Sequence, residues 1–405
     1  EASLTAVSLA FPAQNLMISL AAGTAVGVNA LLGRALGAGE RQRADRVAVN
    51  GLFLAFVGFA VSCVLGLTCA GAFLRSQTQV EEIIVMGEQY LHIVMGCSFA
   101  LFGQIMLERL LQGTGRSLLS MYTQGLGAIV NIILDPVFIF VFDMGVAGAA
   151  IATVIGQICG MLLAAYFNVK KNTDITLRVK GFRPDWRLIG SIYAIGLPSV
   201  IMMAIGSVMT YGINKIMLMF SATAVSVFGI YFKLQSFIFM PVFGLNNGMV
   251  PIIAYNYGAR RPSRILQTVR FGALLAEIIM FIGTVIFQTC PAFLLALFDA
   301  SDDMLALGIP ALRIISINFL FAGLGISFGS VFQAMGNGMY SLIVSACRQL
   351  VVLLPVAYLL AVTMGVHFVW LAFPASELAS IVLSVVLFLR IYRKKIQPLY
   401  EEAEV

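Results

Sequence analysis

The sequence predicts an all-α, polytopic membrane protein, and three features of the chain support this fold class. Of the 405 residues, 60% are hydrophobic and only 11% are charged, whereas about a quarter of the residues of a soluble protein carry a charge. Apolar runs of about 20 residues, long enough for a helix to cross a hydrocarbon core of roughly 30 Å, recur along the chain. The short alternating segments of a transmembrane β-barrel, about ten residues each, are not seen.

Eleven apolar runs are predicted as transmembrane helices. They cover residues 4–32, 47–74, 83–110, 117–141, 146–168, 187–219, 224–255, 265–297, 304–333, 341–363 and 367–391. The longest polar segment between them, residues 169–186, reads VKKNTDITLRVKGFRPDW, and we interpret it as a cytoplasmic linker. It separates an N-terminal lobe, residues 1–168, from a C-terminal lobe, residues 187–405, that ends in a short tail.

The basic residues predict the orientation in the membrane. Alternate connections and the C-terminal tail hold 20 of the 25 Lys and Arg residues, and connections rich in Lys and Arg lie on the cytoplasmic side. We therefore expect a multi-pass protein of the inner (plasma) membrane with a cytoplasmic C-terminus. The net charge of +6 then reflects topology, and we expect no binding to nucleic acid.

The two halves repeat each other at an offset of about 221 residues. This shift places Gly27 on Gly248, and it aligns QGTGRSLLS, residues 112–120, with QAMGNGMYS, residues 333–341. A nearly constant offset, with glycines and a basic loop in register, predicts an internal duplication and hence two pseudo-symmetric lobes.

The repeat also predicts a twelfth helix. The partner of the predicted helix 187–219 would lie before residue 1, and residue 1 is Glu rather than Met. We therefore expect the chain to contain eleven of twelve helices and to lack the first one.

Motifs for nucleotide hydrolysis and zinc proteolysis are absent from the sequence. No GxxxxGK[ST] or HExxH occurs. The one GxSxG pattern, GISFG at residues 325–329, lies inside the predicted helix 304–333, whereas the acyl-transfer motif belongs on a strand-to-helix turn. The six cysteines lie in predicted helices without metal-ligand spacing. We expect neither an enzyme nor a cofactor, so an ion gradient or facilitated flow would have to drive any transport.

Asp135 is a carboxylate inside the predicted helix 117–141, in the apolar stretch NIILDPVFIF, residues 131–140. A charge there costs about 2.5–3.5 kcal/mol, so intramembrane acids usually face a cavity, a partner or an ion. Asn131 precedes it by one helical turn, and Pro136 frees the carbonyl of Ile132 and favours a kink. These oxygens suit an alkali cation, while a desolvated carboxylate suits a proton. A neutral Asp135 that bonds to a neighbouring helix is the structural alternative.

Three segments resemble the multidrug and toxic compound extrusion (MATE) transporters: residues 28–46, residues 110–157 and residues 244–264. The resemblance covers essentially the whole chain from the family's second helix onward and is nearest to the prokaryotic, DinF-like multidrug efflux branch. It implies two six-helix lobes, antiport coupled to Na⁺ or H⁺, and export of bulky amphiphiles that are often cationic. Its partners would be small amphiphilic substrates and membrane lipids, and we expect a monomer.

The resemblance also implies which residues hold the coupling ion. The family's Asn-x-x-x-Asp pair matches Asn131 and Asp135, a Thr of the next helix matches Thr153, and a Tyr of the preceding helix matches Tyr90 as hydrogen-bond donor to the carboxylate. If Na⁺ is the coupling ion, Asn131, Asp135 and Thr153 are its expected ligands. A further aspartate of the family belongs to its first helix, which has no counterpart in this chain.

Other polar residues within predicted helices are weaker candidates. Gln104 is a candidate for the substrate cavity, and Lys233 and Arg313 lie in C-lobe helices, where they would line or gate such a cavity. Glu108 is placed towards a helix end, where we expect its side chain to reach the interface.

Two other functions are considered. A lipid or lipid-linked oligosaccharide flippase of the same superfamily would need a cationic lumen. Its candidate cations all lie in the C-terminal lobe: Lys215, Lys233, Arg313 and Arg348. Asp135 in the other lobe opposes this alternative. An intramembrane protease would need paired Asp residues or a Ser and His arrangement, and the sequence predicts neither.

Overall fold

The computed structural model describes residues 2–403, and every regular element within that range is helical. The first helices are α1 (Ala2–Gly37), α2 (Arg41–Arg75), α3 (Glu81–Gly96), α4 (Phe99–Gly113), α5 (Ser117–Pro136), α6 (Gly145–Lys170) and α7 (Trp186–Leu218). The later helices are α8 (Ala222–Gly258), α9 (Pro262–Thr289), α10 (Pro291–Ala296), α11 (Asp302–Ser316), α12 (Phe319–Ala334), α13 (Gly338–Ala346), α14 (Leu354–Met364), α15 (Val366–Val369), α16 (Ala372–Ile391) and α17 (Gln397–Ala403). Three π-helical segments follow α5, α13 and α16: Val137–Val141, Cys347–Leu353 and Tyr392–Ile396.

The number of candidate membrane spans agrees with the sequence. Within the described residues, nine helices are long and apolar enough to cross a membrane. Two bent pairs bring the number to eleven, because α3 and α4 meet at 44° and α11 and α12 meet at 46°. The predicted spans 83–110 and 304–333 are therefore broken helices, and the predicted span 265–297 is divided between α9 and α10.

The backbone of the turns repeats in the same way as the sequence. Gly115 and Gly336 have φ angles of 78° and 75°, and Gly39 and Arg260 have φ angles of 75° and 54°. The members of each pair are 221 residues apart, which is the offset found in the sequence. The breaks within the two bent helix pairs, at residues 97 and 317, are 220 residues apart. Shared left-handed turns and shared breaks support the predicted internal duplication.

The described residues form two compact units that divide between Val200 and Ile201, inside α7. The first part of α7 packs closely on α1. The backbones approach so closely at Gly27 that a Cβ atom there would overlap the carbonyl oxygen of Ile192. Small residues of this kind allow membrane helices to approach closely. Part of a helix that the sequence assigns to the C-terminal lobe therefore packs in the first unit. The lobe limits of 1–168 and 187–405 stay a prediction.

Each unit has its own packed interior. In the first unit, α1 packs against α2, α3 and α4, and α6 packs against α4 and α5. In the second unit, buried aromatic side chains from several helices join one apolar cluster, including Phe228, Phe319 and Trp370. The packing of α6 on α5 places the residues considered next.

Candidate ion-binding site

Two glycines bring α5 and α6 into backbone contact. A Cβ atom built on Gly156 of α6 would lie 2.6 Å from the carbonyl oxygen of Gly127 on α5 and 3.2 Å from Cβ of Asn131. Real Cβ atoms do not approach a carbonyl oxygen that closely, so the contact requires glycine at this position. Asn131 consequently lies directly beside α6.

Three of the residues implied by the sequence form one cluster across this contact. The Asn131 Nδ2 atom lies 3.3 Å from Asp135 Oδ1 and 3.5 Å from Thr153 Oγ1. The Thr153 hydroxyl donates to the carbonyl oxygen of Ala149, 2.9 Å away. The hydroxyl oxygen of Thr153 therefore keeps a lone pair for Asn131 or for a cation.

The backbone changes its winding immediately after Asp135. The α-helix ends at Pro136 and continues as a π-helical segment, Val137–Val141, in which the N–H of Phe142 donates to the carbonyl oxygen of Val137 at 3.0 Å. Proline removes one donor from the α-helical pattern, and π-helical turns frequently occur at functional sites. The disruption expected at Pro136 takes this form.

The chemistry of the cluster suits a singly charged ion. Asp135 is partly exposed and supplies one carboxylate, and the described residues hold no group of three or more His, Cys, Asp or Glu side chains that could bind a metal ion. With its nitrogen facing Asp135, the Asn131 amide stabilises an ionised carboxylate. A half-turn of that amide presents its oxygen in place of the nitrogen, so Asn131, Asp135 and Thr153 can each offer one oxygen atom to a cation.

The hydroxyl of Tyr90 does not make the hydrogen bond to Asp135 that the family resemblance implies. The Tyr90 side chain is 6% exposed, and its hydroxyl donates to Gln14 Oε1 on α1 at 3.1 Å instead of to the carboxylate of Asp135. Tyr90 therefore links α3 to α1 beside the cluster. Gln14 is a polar neighbour that the sequence did not assign to the site.

A second carboxylate, Glu108, is buried in the first unit, so the expectation that it reaches the interface is wrong. Glu108 is 5% exposed, and three side chains supply hydrogen bonds to its two oxygens. Gln104 Nε2 lies 2.9 Å from Oε1, Thr123 Oγ1 lies 2.8 Å from Oε1 and Gln124 Nε2 lies 3.0 Å from Oε2. Gln104 thus belongs to this carboxylate cluster. Its assignment to a substrate cavity stays a prediction.

The short connection between α4 and α5 was the signal that could have located this cluster. The two helices are joined by residues 114–116 only, so side chains at equal distances from the turn meet in an antiparallel helical hairpin. Gln112 and Ser120 meet in this way at 2.9 Å, and Glu108 and Thr123 meet further along the same hairpin. Counting outward from the turn would have paired Glu108 with α5.

Lys233 and Arg313 lie in the second unit, and both are exposed. The Lys233 ammonium is 5.9 Å from the ring centroid of Phe298, a cation–π contact. Arg313 Nε donates to the carbonyl oxygen of Gln288 at 3.2 Å, and Gln288 Nε2 donates back to the carbonyl oxygen of Arg313 at 2.6 Å. These bonds join α11 to the last turn of α9. A role for either cation in a cavity stays a prediction.

The second unit also contains an ion pair with one buried member. Arg348, in the π-helical segment Cys347–Leu353, lies 3.4 Å from Glu377 Oε2 on α16, and the Arg348 and Glu377 side chains are 29% and 4% exposed. The other carboxylate oxygen, Oε1, has no hydrogen-bond partner among residues 2–403. The buried carboxylate is the member that depends most on its partner.

Known proteins resemble the chain over nearly its whole length. The model of the family described as MatE matches residues 1–137 and 198–359. The multidrug export protein MepA of Staphylococcus aureus is 25% identical over 401 residues, which are 95% of this chain and 85% of that protein. MepA of Staphylococcus haemolyticus is 27% identical over 365 residues, covering 88% of this chain and 78% of that protein.

Solved structures share the fold. An outward-facing multidrug resistance MATE transporter of the MOP superfamily has a TM-score of 0.93 and 25% identity, and the match covers 99% of this chain and 89% of that one. A MOP superfamily transporter from Pyrococcus furiosus, described as having a binding pocket of reversed polarity that suggests a different function, has a TM-score of 0.91 and 26% identity over 99% of this chain and 89% of that one. The predicted all-α, MATE-like fold class is confirmed.

Proposed function

Since the chain belongs to the MATE family of multi-pass membrane transporters, we propose that it is a secondary antiporter which exports amphiphilic, cationic drugs or metabolites in exchange for Na⁺ or H⁺. The members of this family are transporters, so the expectation that the chain is not an enzyme is confirmed. The staphylococcal relatives are named multidrug export proteins, and that supports the proposed substrate class. The bacterial origin of these relatives also supports a plasma-membrane location. We further propose that the C-terminus is cytoplasmic, as the distribution of Lys and Arg predicts.

The observation that carries the proposal is the cluster of Asn131, Asp135 and Thr153. It combines an intramembrane carboxylate with two neutral oxygen-bearing side chains, Asn131 on the same helix and Thr153 on α6. Acids within membrane helices commonly mark ion or proton pathways. The single negative charge of Asp135 balances the single positive charge of one Na⁺ or one H⁺, and the two neutral side chains add no further charge.

Ion binding can be coupled to transport only if the ion has different affinities for two conformations. Asp135 lies between the glycine contact of α5 with α6 and the π-helical turn that follows Pro136. A cation that gathers the oxygens of Asn131 and Thr153 would tighten α5 on α6, while release of the cation would loosen this contact. We propose that the substrate binds better to the conformation with the loosened contact, so ion entry drives substrate release.

The substitution Asp135→Asn tests the proposal directly. In proteoliposomes loaded with a lipophilic cation such as tetraphenylphosphonium, we expect it to abolish efflux driven by an imposed Na⁺ or pH gradient. The matched control is Asp143→Asn, eight residues away, in an exposed loop position with a φ of 52° that Asn also accepts. Full gradient-driven efflux by Asp135→Asn, at equal amounts of reconstituted protein, would refute the mechanism.

Thr153→Val separates the two candidate ions. It removes one of three oxygen ligands, so Na⁺-driven efflux should require a Na⁺ concentration at least tenfold higher, since one lost ligand of about 1.4 kcal/mol corresponds to a factor of ten. Efflux driven by a pH gradient in choline medium should change little if the ion is H⁺. A raised Na⁺ requirement in this variant therefore assigns Na⁺ as the coupling ion, and unchanged efflux driven by the pH gradient assigns H⁺.

The flippase alternative is less well supported by the contacts of its candidate cations. Arg348 pairs with Glu377, and Arg313 is bonded to the end of α9. Lys215 lies 5.6 Å from the ring centroid of Tyr211, and Lys233 faces an aromatic ring in the same way. Each of these four cations already has a partner in its own unit, so this set does not form the free cationic lumen that the flippase alternative needs.

A further inference from the structure

A cavity of about 300 Å³ lies in the first unit, between the first turns of α2 and residues 176–185 of the polar connection before α7. Four cationic side chains line it: Arg46, Arg178, Lys180 and Arg183. Asp45 and Asp185 are its two acidic lining residues. The size is that of a small ligand site, and the charge of the lining is positive.

Both acids of the cavity are occupied in holding the connection to the helices. Asp45 Oδ1 accepts the backbone N–H of Thr176 at 2.6 Å. Asp185 Oδ1 accepts the backbone N–H groups of Arg187 and Leu188 at 3.1 and 3.2 Å, so it caps the start of α7. Both carboxylates are therefore fixed by the fold, and four cations against two acids leave the lining with an excess of two positive charges.

The cations of the connection have no such partners. The side chains of Arg178, Lys180 and Arg183 are exposed, and among the described residues none of them makes a side-chain hydrogen bond or an ion pair. Arg46 approaches Asp185 only to 3.9 Å. Three unpaired cations around one concave surface form a site for an anion.

The surroundings of the cavity place it at the border between polar and apolar surface. Phe182 packs on Phe53 of α2 with ring centroids 5.5 Å apart, and this contact joins the connection to the apolar part of α2. Val179, between Arg178 and Lys180 in the sequence, is 65% exposed, and Trp186, which follows Arg183 by three residues, is 73% exposed. Exposed Trp next to Lys and Arg is typical of the membrane–water interface.

We propose that this cavity binds the headgroup of an anionic phospholipid, with Arg178, Lys180 and Arg183 contacting the phosphate and with Val179 and Trp186 lying against the acyl chains. Basic pockets at the cytoplasmic ends of membrane helices recognise lipid headgroups in this way. A free phosphate would satisfy the cations equally well but would leave the exposed Trp and Val without a partner. The site is separate from the ion cluster of α5 and α6, and its occupancy does not depend on the proposed transport function.

Tryptophan fluorescence offers a direct test, because the chain has only two Trp residues and Trp370 is fully buried. The full chain is reconstituted in phosphatidylcholine vesicles with increasing brominated phosphatidylglycerol, which quenches the nearby Trp186. The triple variant R178Q/K180Q/R183Q should weaken the apparent affinity for brominated phosphatidylglycerol on the order of 100-fold, from about fivefold for each charge removed. If the triple variant does not fold, R183Q alone should show the fivefold change.

The matched control removes three exposed cations from another basic segment, as R390Q/R393Q/K394Q. We expect this control to keep the affinity of the unmodified chain within a factor of two. Equal losses in both variants would overturn the proposal, because general attraction to an anionic surface would then account for binding. The proposal also fails if 10 mM inorganic phosphate releases the quenching, since the site would then take a soluble anion.

Discussion

The substitution Thr123→Val tests whether the buried carboxylate of Glu108 is ionised. Thr123 is fully buried, and its hydroxyl oxygen lies 2.8 Å from Glu108 Oε1 and 2.7 Å from the carbonyl oxygen of Ser120. Valine has nearly the same shape, so the change removes the hydroxyl with little effect on packing. With the amides of Gln104 and Gln124 also donating to Glu108, we predict that the carboxylate is charged.

The expected magnitude distinguishes the two forms of Glu108. A hydrogen bond to a charged group contributes about 1.5–3 kcal/mol, whereas hydrogen bonds between neutral groups of neighbouring membrane helices average only about 0.6 kcal/mol. For an ionised Glu108, Thr123→Val should therefore lower the free energy of unfolding by about 1.5–3 kcal/mol. For a protonated Glu108, the loss should be close to 0.6 kcal/mol.

The assay is reversible unfolding in mixed detergent and dodecyl sulfate micelles, in a double-mutant cycle with Glu108→Gln. In the Glu108→Gln background, Thr123→Val should cost no more than about 0.6 kcal/mol, because the acceptor is then neutral. Thr210→Val is the matched control, since the hydroxyl of Thr210 donates only within its own helix, to the carbonyl oxygen of Gly206 at 2.9 Å. It should change the free energy of unfolding by less than about 0.5 kcal/mol.

An equal effect of Thr123→Val in both backgrounds would refute an ionised Glu108. So would a loss of about 0.6 kcal/mol or less in the otherwise unchanged chain, which is the value for a neutral pair.

Three further predictions concern the neighbouring contacts. Tyr90→Phe removes the hydroxyl bonded to α1 and should lower the free energy of unfolding by about 0.5–1.5 kcal/mol; complete loss of transport would instead indicate that Tyr90 contacts the coupling ion site. Glu377→Leu leaves Arg348 without its partner and should cost about 1.5–3 kcal/mol, the contribution of a hydrogen bond to a charged group, because the Arg348 side chain is 29% exposed. Most of this loss should return in the double variant with Arg348→Met, measured by the same unfolding assay. Gly156→Val should greatly reduce the amount of monodisperse protein in fluorescence-detected gel filtration. Gly125→Val should not, because no atom lies within 4 Å of a Cβ built at that position. Similar elution profiles for the two variants would contradict the required glycine contact.

Within the candidate site, the pairing of Asn131 with Asp135 was predictable and the partner of Tyr90 was not. Residues four apart on one helix share a face whatever surrounds the helix, and their distance in the structure follows this rule. The hydroxyl of Tyr90 can reach several acceptors on neighbouring helices, and the packing of α3 on α1 selects Gln14. The position of Thr153 beside Asn131 was implied by family resemblance, and the contact of two glycines supplies its physical basis.

The sequence by itself determined the helical membrane class, the approximate spans, the duplication and the polar pair on α5, because hydropathy, repeat offset and helical spacing are local or additive properties of the chain. Only the tertiary structure decided that the spans 83–110 and 304–333 are bent, that Glu108 is buried among three donors, and that the polar connection encloses a cationic cavity. These features depend on which side chains meet across helices. The free energy of such contacts is set by burial and by the partners within hydrogen-bonding distance, and neither can be read from the order of residues along one helix.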